Sequence, residues 1–209
     1  MSDFWHGHGH TRGLTNRPRE PRLLSDVQVT VSTDIDVVSI SELKDFLEVT
    51  HTEDDAQIQA HLNTALDFFD RVAGHRLDEQ TRRATFDQDF HLYELPSKPV
   101  TSIDAVKTSY QGTETAQDAS NFFLYADDPP EVRTKTGHAW NSPLDSVIID
   151  YVCGYADAND VPSGIVEVIK KMVSDLYENR TSESQEGNVP RELAMNWKQL
   201  ITPYMIIKL

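Results

Sequence analysis

Apolar residues recur at helical spacing in four stretches of this chain and fall into short, strand-like runs between the second and third. Ile40, Leu43, Phe46 and Leu47 form one stripe, which predicts a helix over about 39–49. It opens with Ser39-x-x-Glu42, a capping box in which hydroxyl and carboxylate satisfy each other's backbone amides. A second stripe, Ile58, Leu62, Ala65, Leu66, Phe69, Val72 and Ala73, predicts a helix over about 52–73. Thr52-x-x-Asp55 is a weaker cap for it, and Glu53, Asp54 and Asp55 suit the positive end of the helix dipole. Gly74 is the expected left-handed stop. The short link makes these two helices an antiparallel pair.

The third helix is expected over about 162–180, with Pro162 as a favoured first residue. Ile165, Val166, Val168, Ile169, Met172, Val173, Leu176 and Tyr177 give it a face wider than one neighbour requires, so it is read as central. A fourth, over about 190–202, carries Leu193, Trp197, Leu200 and Ile201 and stops before Pro203.

Between about 81 and 155 the pattern changes. Runs such as "TRRATF", "SIDAVKTSY", "NFFLY" and "SVIIDYVCGY" are short, β-branched and aromatic, with Pro, Gly, Asp and Asn clusters between them. They predict an antiparallel β-insert between the second and third long helices. The fold class is therefore α+β: a helical bundle with that insert, and an extended N-terminal arm. The arm is assigned to 1–37, where "TNRPREPR" cannot sit inside a helix, and the folded domain to 38–209. Within the arm, "VQVTV" at 27–31 alternates and could add an edge strand.

The 209 residues carry a net charge of −15. The first 24 residues run against it, with four arginines against Asp3 and Glu20. A strongly acidic body excludes a phosphate-gripping DNA-binding module, because such binding runs on Lys and Arg. No apolar run reaches the ~20 residues of a membrane span, so no membrane partner is expected. The N-terminus lacks a signal-peptide core. Cys153 is the single cysteine, so neither an intrachain disulfide nor a cysteine metal cluster can form.

Candidate chemistry is sparse, and no cofactor is expected. His6, His8 and His10 alternate in "HGHGH" and could hold a metal. A metal-assisted hydrolase using them with the acids near 53–55 is the alternative reading. The segment is glycine-spaced and lacks a scaffold to fix its geometry. Asp54, Asp55, Asp67 and Asp70 read as solvated charges. Tyr177-Glu178-Asn179-Arg180 is read as a helix terminus, with Arg180 complementing the dipole and available as a subunit contact. No phosphate-binding or nucleophile-elbow motif occurs.

Four pieces in order carry a family resemblance. These are the acidic-linked helix pair from Ser39 to Leu77, "ELPSKPVTSIDAVK", "VIIDYVCGYADANDVPSGIVEVIKKMVSDLYENR" and "VPRELAMNWKQLITPYM". Together they resemble tailed-phage head-tail connector (adaptor) proteins, including relatives in gene transfer agents, over roughly residues 39–205. The resemblance implies a non-enzymatic virion part in the neck, present in the host cytoplasm during assembly. It implies a homo-oligomeric ring, commonly of twelve, under a portal protein and above a stopper or tail-completion protein. Double-stranded DNA would cross the lumen without sequence-specific binding, past an acidic wall. On that reading the apolar terminus from Pro203, with Tyr204, Met205, Ile206, Ile207 and Leu209, is expected to stand clear of the core and dock on the portal. Phe4 and Trp5 are the expected anchors by which the arm grips a neighbour or the portal.

Overall fold

The computed structural model describes residues 21–31, 35–87, 89–140, 143–178 and 197–206. The elements run β1 (Leu23–Val31), α1 (Ile40–Leu47), α2 (Asp55–Ala73), β2 (Gln80–Phe86), β3 (Leu92–Glu94), β4 (Val100–Tyr110), β5 (Thr113–Ala116), β6 (Phe122–Tyr125), β7 (Glu131–Thr134), β8 (Ser146–Cys153), α3 (Ser163–Glu178) and α4 (Trp197–Ile201). This is the mixed α+β class read from the pattern, with the long helices α2 and α3 flanking an antiparallel β-insert.

Local chemistry sets the helix ends. The Ser39 amide donates to Glu42 Oε2 at 2.9 Å and the Glu42 amide to Ser39 Oγ at 3.2 Å, closing the capping box of α1. The Thr52 cap of α2 does not form: Asp54 occupies the cap position and makes no side-chain cap bond. Its carboxylate instead accepts a 2.5 Å hydrogen bond from Tyr177 Oη. Gly74 ends α2 in the left-handed region, at φ +66.

The helices share one core. Ile58, Leu62, Ala65 and Phe69 of α2 meet Ile165, Val168, Ile169, Met172 and Val173 of α3, with Leu43 from α1 and Ile201 from α4. Fully burying an aliphatic or phenyl side chain contributes about 1.5–3 kcal/mol, so this seam holds the bundle. Phe46 and Leu176 were expected in the apolar stripes but are 42% and 37% exposed. Among the described residues both are partly open to solvent, while Leu43 of α1 and Ile165, Val168, Ile169, Met172 and Val173 of α3 are buried.

The insert has its own core. A five-stranded sheet, ordered β1-β2-β8-β4-β5, and a three-stranded sheet, ordered β3-β7-β6, are each antiparallel throughout. Ala84, Phe86, Val106, Val147, Ile149 and Tyr151 of the first pack with Tyr93, Phe122 and Val132 of the second. Strand alternation sends Arg83, Lys107 and Asp150 to the opposite, outer face. β1 is longer than the five-residue run expected and forms the sheet edge, so the folded body begins inside the segment assigned to the arm.

The two cores meet through backbone bridges, His75 to Lys98 and Asp78 to Tyr155. No described helix is long and apolar enough to cross a membrane.

Candidate functional site

The carboxyl-terminal segment enters the junction between bundle and sandwich. Tyr204 lies in a short 3-10 turn, Thr202–Tyr204, that follows α4. Its ring packs 6.3 Å from Phe69 and 5.9 Å from His75, edge-on to the latter. The Tyr204 hydroxyl rests against Gly164 so closely that a Cβ there would lie 2.2 Å from it. The Ile206 amide donates to the Ala73 carbonyl at 3.2 Å, and the Met205 carbonyl accepts from Lys98 Nζ at 3.4 Å. Tyr204 and Met205 therefore pack against the helical core, and Ile206 lies on Gly74. This corrects the expectation that the whole terminus stands clear of the core. Burying the aromatic ring offsets the cost of ordering the segment. Ile207 and Leu209 lie outside the described residues, as do Phe4, Trp5, His6, His8, His10 and Arg180.

His75 is buried in this junction beside Tyr155, and its Nδ1 has no hydrogen-bond partner among the described residues. Burial, and then the Lys98 charge, pull its pKa down to about 4, so it is neutral near pH 7. Lys98 is itself buried and ion-pairs with Asp128 at 2.5 Å. This arrangement holds a loop and a terminus together.

A polar seam fixes β1 to the rest. The Arg82 guanidinium grips Asp26 through Nε at 2.9 Å and Nη2 at 2.6 Å, and Tyr151 Oη donates to the same carboxylate at 3.2 Å. Asp70, read as solvated, is half-buried and ion-pairs with Arg76. Burial raises its carboxyl, against the pull of Arg76. Asp54 is likewise only 22% exposed at its side chain. The Asp26–Arg82 pair joins positions that local spacing leaves unconnected. Its signal was available: Gln80, Arg82, Ala84 and Phe86 share one strand face, so Phe86 at the core forces Arg82 inward.

On the outer face of the five-stranded sheet, Asp150 accepts from Arg83 at 2.7 Å and pairs with Lys107 at 3.1 Å. Glu114 of the edge strand bridges the same two cations at 3.2 and 3.3 Å. Burial pushes Asp150 up, but hydrogen bonds from Arg83 and Lys107 outweigh it and hold the carboxyl low. The network spans β2, β8, β4 and β5. It pins the sheet with two cations matched by two carboxylates.

Nucleophile and metal chemistry find no support in the described residues. Burial pushes the Cys153 thiol up to about 12, so no thiolate is available near neutrality. No group of three or more His, Cys, Asp or Glu converges among the described residues.

No protein-family model matches the chain, and no curated protein matches it significantly. Solved structures do match. A chain from the neck of an empty GTA particle computed with C6 symmetry aligns at 18% identity with a TM-score of 0.65, covering 89% of this chain and 97% of the other. A chain from the virion of a native gene transfer agent particle aligns at 18% identity and a TM-score of 0.64, covering 88% and 96%. A chain from the neck of a native GTA particle computed with C12 symmetry aligns at 18% identity and a TM-score of 0.62, covering 88% and 97%. Over 88–89% of its length, the chain thus shares its fold with components of such particles.

Proposed function

We propose that this protein is a structural head-tail connector of a tailed phage or phage-like particle. Twelve copies form a ring under the portal and join it to the stopper or tail, leaving a lumen for DNA. The observation that carries this reading is the alignment of nearly the whole chain with chains of gene transfer agent necks. A rotational symmetry in those necks fits a ring-forming subunit. The net charge of −15 supports a lumen past which a polyanion slides without sticking. The hydrolase alternative has no converging metal site among the described residues to support it.

The junction gives the carboxyl terminus a defined exit. Residues 204–206 are anchored on Phe69, Ala73 and Lys98. Ile207 and Leu209, beyond the described residues, are the apolar pair assigned to the portal contact, since apolar side chains favour a partner that covers them. Negative-stain microscopy of the purified protein mixed with its portal tests the reading. Collars of this protein on portal rings are the expected result. Failure to bind portal-bearing heads lacking this protein would overturn it.

A further inference from the structure

Strand β6, "FFLY", is apolar on both of its faces, the pattern of a strand covered on both sides. Phe122 and Leu124 turn inward to the sandwich core. Phe123 and Tyr125 alternate with them and so stand on the outer face, 48% and 42% exposed. Leu92 and Arg133 share the cross-strand row of Phe123, and Glu94 and Glu131 share that of Tyr125. The Arg133 guanidinium carbon lies 4.7 Å from the centre of the Tyr125 ring, and Lys135 Nζ lies 4.9 Å from that of Phe123. Arg133 also ion-pairs with Glu131. Exposed aromatic rings beside an arginine are the composition that carries binding energy at protein contacts. The two glutamates among them disfavour a nucleic-acid backbone, whose binding runs on unopposed cations.

A second apolar strip lies on the other side of the sandwich. Val27 of β1 stands opposite Arg83, on the outer face of the five-stranded sheet, and is 54% exposed. Leu24 and Val29 of the same strand are 51% and 52% exposed. This edge strand has no lysine, arginine or proline to guard it, and Arg82 holds its one carboxylate, Asp26. Beside Val27, Arg83 and Lys107 are matched by Asp150 and Glu114. The inner faces of the two sheets pack on each other, so their outer faces point in opposite directions.

A net charge of −15 sets copies of this chain against one another. Contact between them costs least where cations match carboxylates and apolar side chains stand open. Both outer faces meet those conditions. We infer that the outer face of β6 in one copy packs on the outer face of β1 in the next, with Phe123 and Tyr125 against Leu24, Val27 and Val29. The two patches differ, so the contact runs head to tail. Their opposite directions let it repeat from copy to copy, as a closed ring requires. This rests on the ring reading above and names the surfaces that build the ring.

The test uses full-length protein and portal-bearing heads. Val27→Cys copies and Phe123→Cys copies are mixed, treated with a short bis-maleimide both free and on heads, and mapped by mass spectrometry. The native Cys153 is buried and does not compete. Links between position 27 of one variant and position 123 of the other are expected. Links only between like variants, links from position 123 to the portal, or no links at all would overturn the inference. Copies that still bind heads would then leave the connector reading standing. Linked copies that never bind heads would overturn the connector reading alone. A second measurement does not depend on cross-linking. Val27→Lys and Phe123→Lys, both at exposed positions, are checked for folding by their thermal melts. Each should need at least about tenfold more protein to fill the heads. Filling unchanged by both variants would overturn the inference.

Discussion

The hydroxyl of Tyr177 donates to Asp54 Oδ2 at 2.5 Å, joining the last turn of α3 to the cap of α2 across 123 positions. One residue from an expected core stripe and one from an expected solvated cluster thus form a part-buried link. Lys44 adds a second tie from α1, reaching Asp55 at 2.7 Å. The acidic start of α2 is a clasp for three helices.

Tyr177→Phe removes that link while keeping the ring in the core. A hydrogen bond to a charged group contributes about 1.5–3 kcal/mol. Partial exposure of Asp54, which lets water replace the hydroxyl, puts the expected loss near 1–2 kcal/mol. For a chain of this size that lowers Tm by about 2–8 °C. Thermal denaturation by circular dichroism measures it. An unchanged Tm would show that the clasp adds nothing.

His75 makes the junction acid-sensitive. Its pKa is about 4 in the folded protein and about 6.5 in the unfolded chain. The unfolded chain therefore binds the extra proton between those values. The contribution is full above pH 6.5 and is lost as pH falls toward 4. Between pH 7 and 5 the expected loss is about 2 kcal/mol. Urea titrations at both values, compared with His75→Phe, isolate the term. The variant should lose less stability over the same interval, and equal losses would refute the assignment.

The class of the fold was legible because periodicity survives in each element: α2, α3 and the short strands all follow from spacing. What spacing could not give was partnership between distant positions. Asp54, Asp70 and Arg82 are polar residues with ordinary local contexts, and each is part-buried only because Tyr177, Arg76 or Asp26 meets it. The separate core of the sandwich was hidden for the same reason, since β3, β6 and β7 are only three or four residues long. Tyr204 was misplaced because its apolar run reads equally as a docking tail or as a strap.

Gly154 is where β8 leaves the sheet toward α3, and it tolerates no side chain. Its φ is +102, and a Cβ would lie 2.1 Å from the Asp78 carbonyl oxygen. That atom belongs to the bridge joining the two cores, so it cannot turn aside as a side chain would. Gly154→Ala should cost several kcal/mol, beyond the ~1–3 kcal/mol of backbone strain alone. Soluble yield and chemical denaturation report it. A variant within about 1 kcal/mol of the parent would show that the bridge is dispensable.

The carboxyl terminus separates folding from attachment. Deleting 207–209 leaves Tyr204 on Phe69 and His75, and the Ile206 amide on Ala73. Stability should therefore stay within about 0.5 kcal/mol of the parent, while binding to portal-bearing heads is lost. Deleting 204–209 also strips the aromatic ring from the junction and uncovers His75. Removing a packed aromatic from a core costs about 3–5 kcal/mol; Tyr204 is only half-buried, so about 1–3 kcal/mol is expected. Thermal melts and co-sedimentation with heads, run on both truncations, separate the two roles. Retained head binding by the shorter deletion would remove residues 207–209 from the portal contact. Unchanged stability in the longer one would show that the strap is not part of the fold's support.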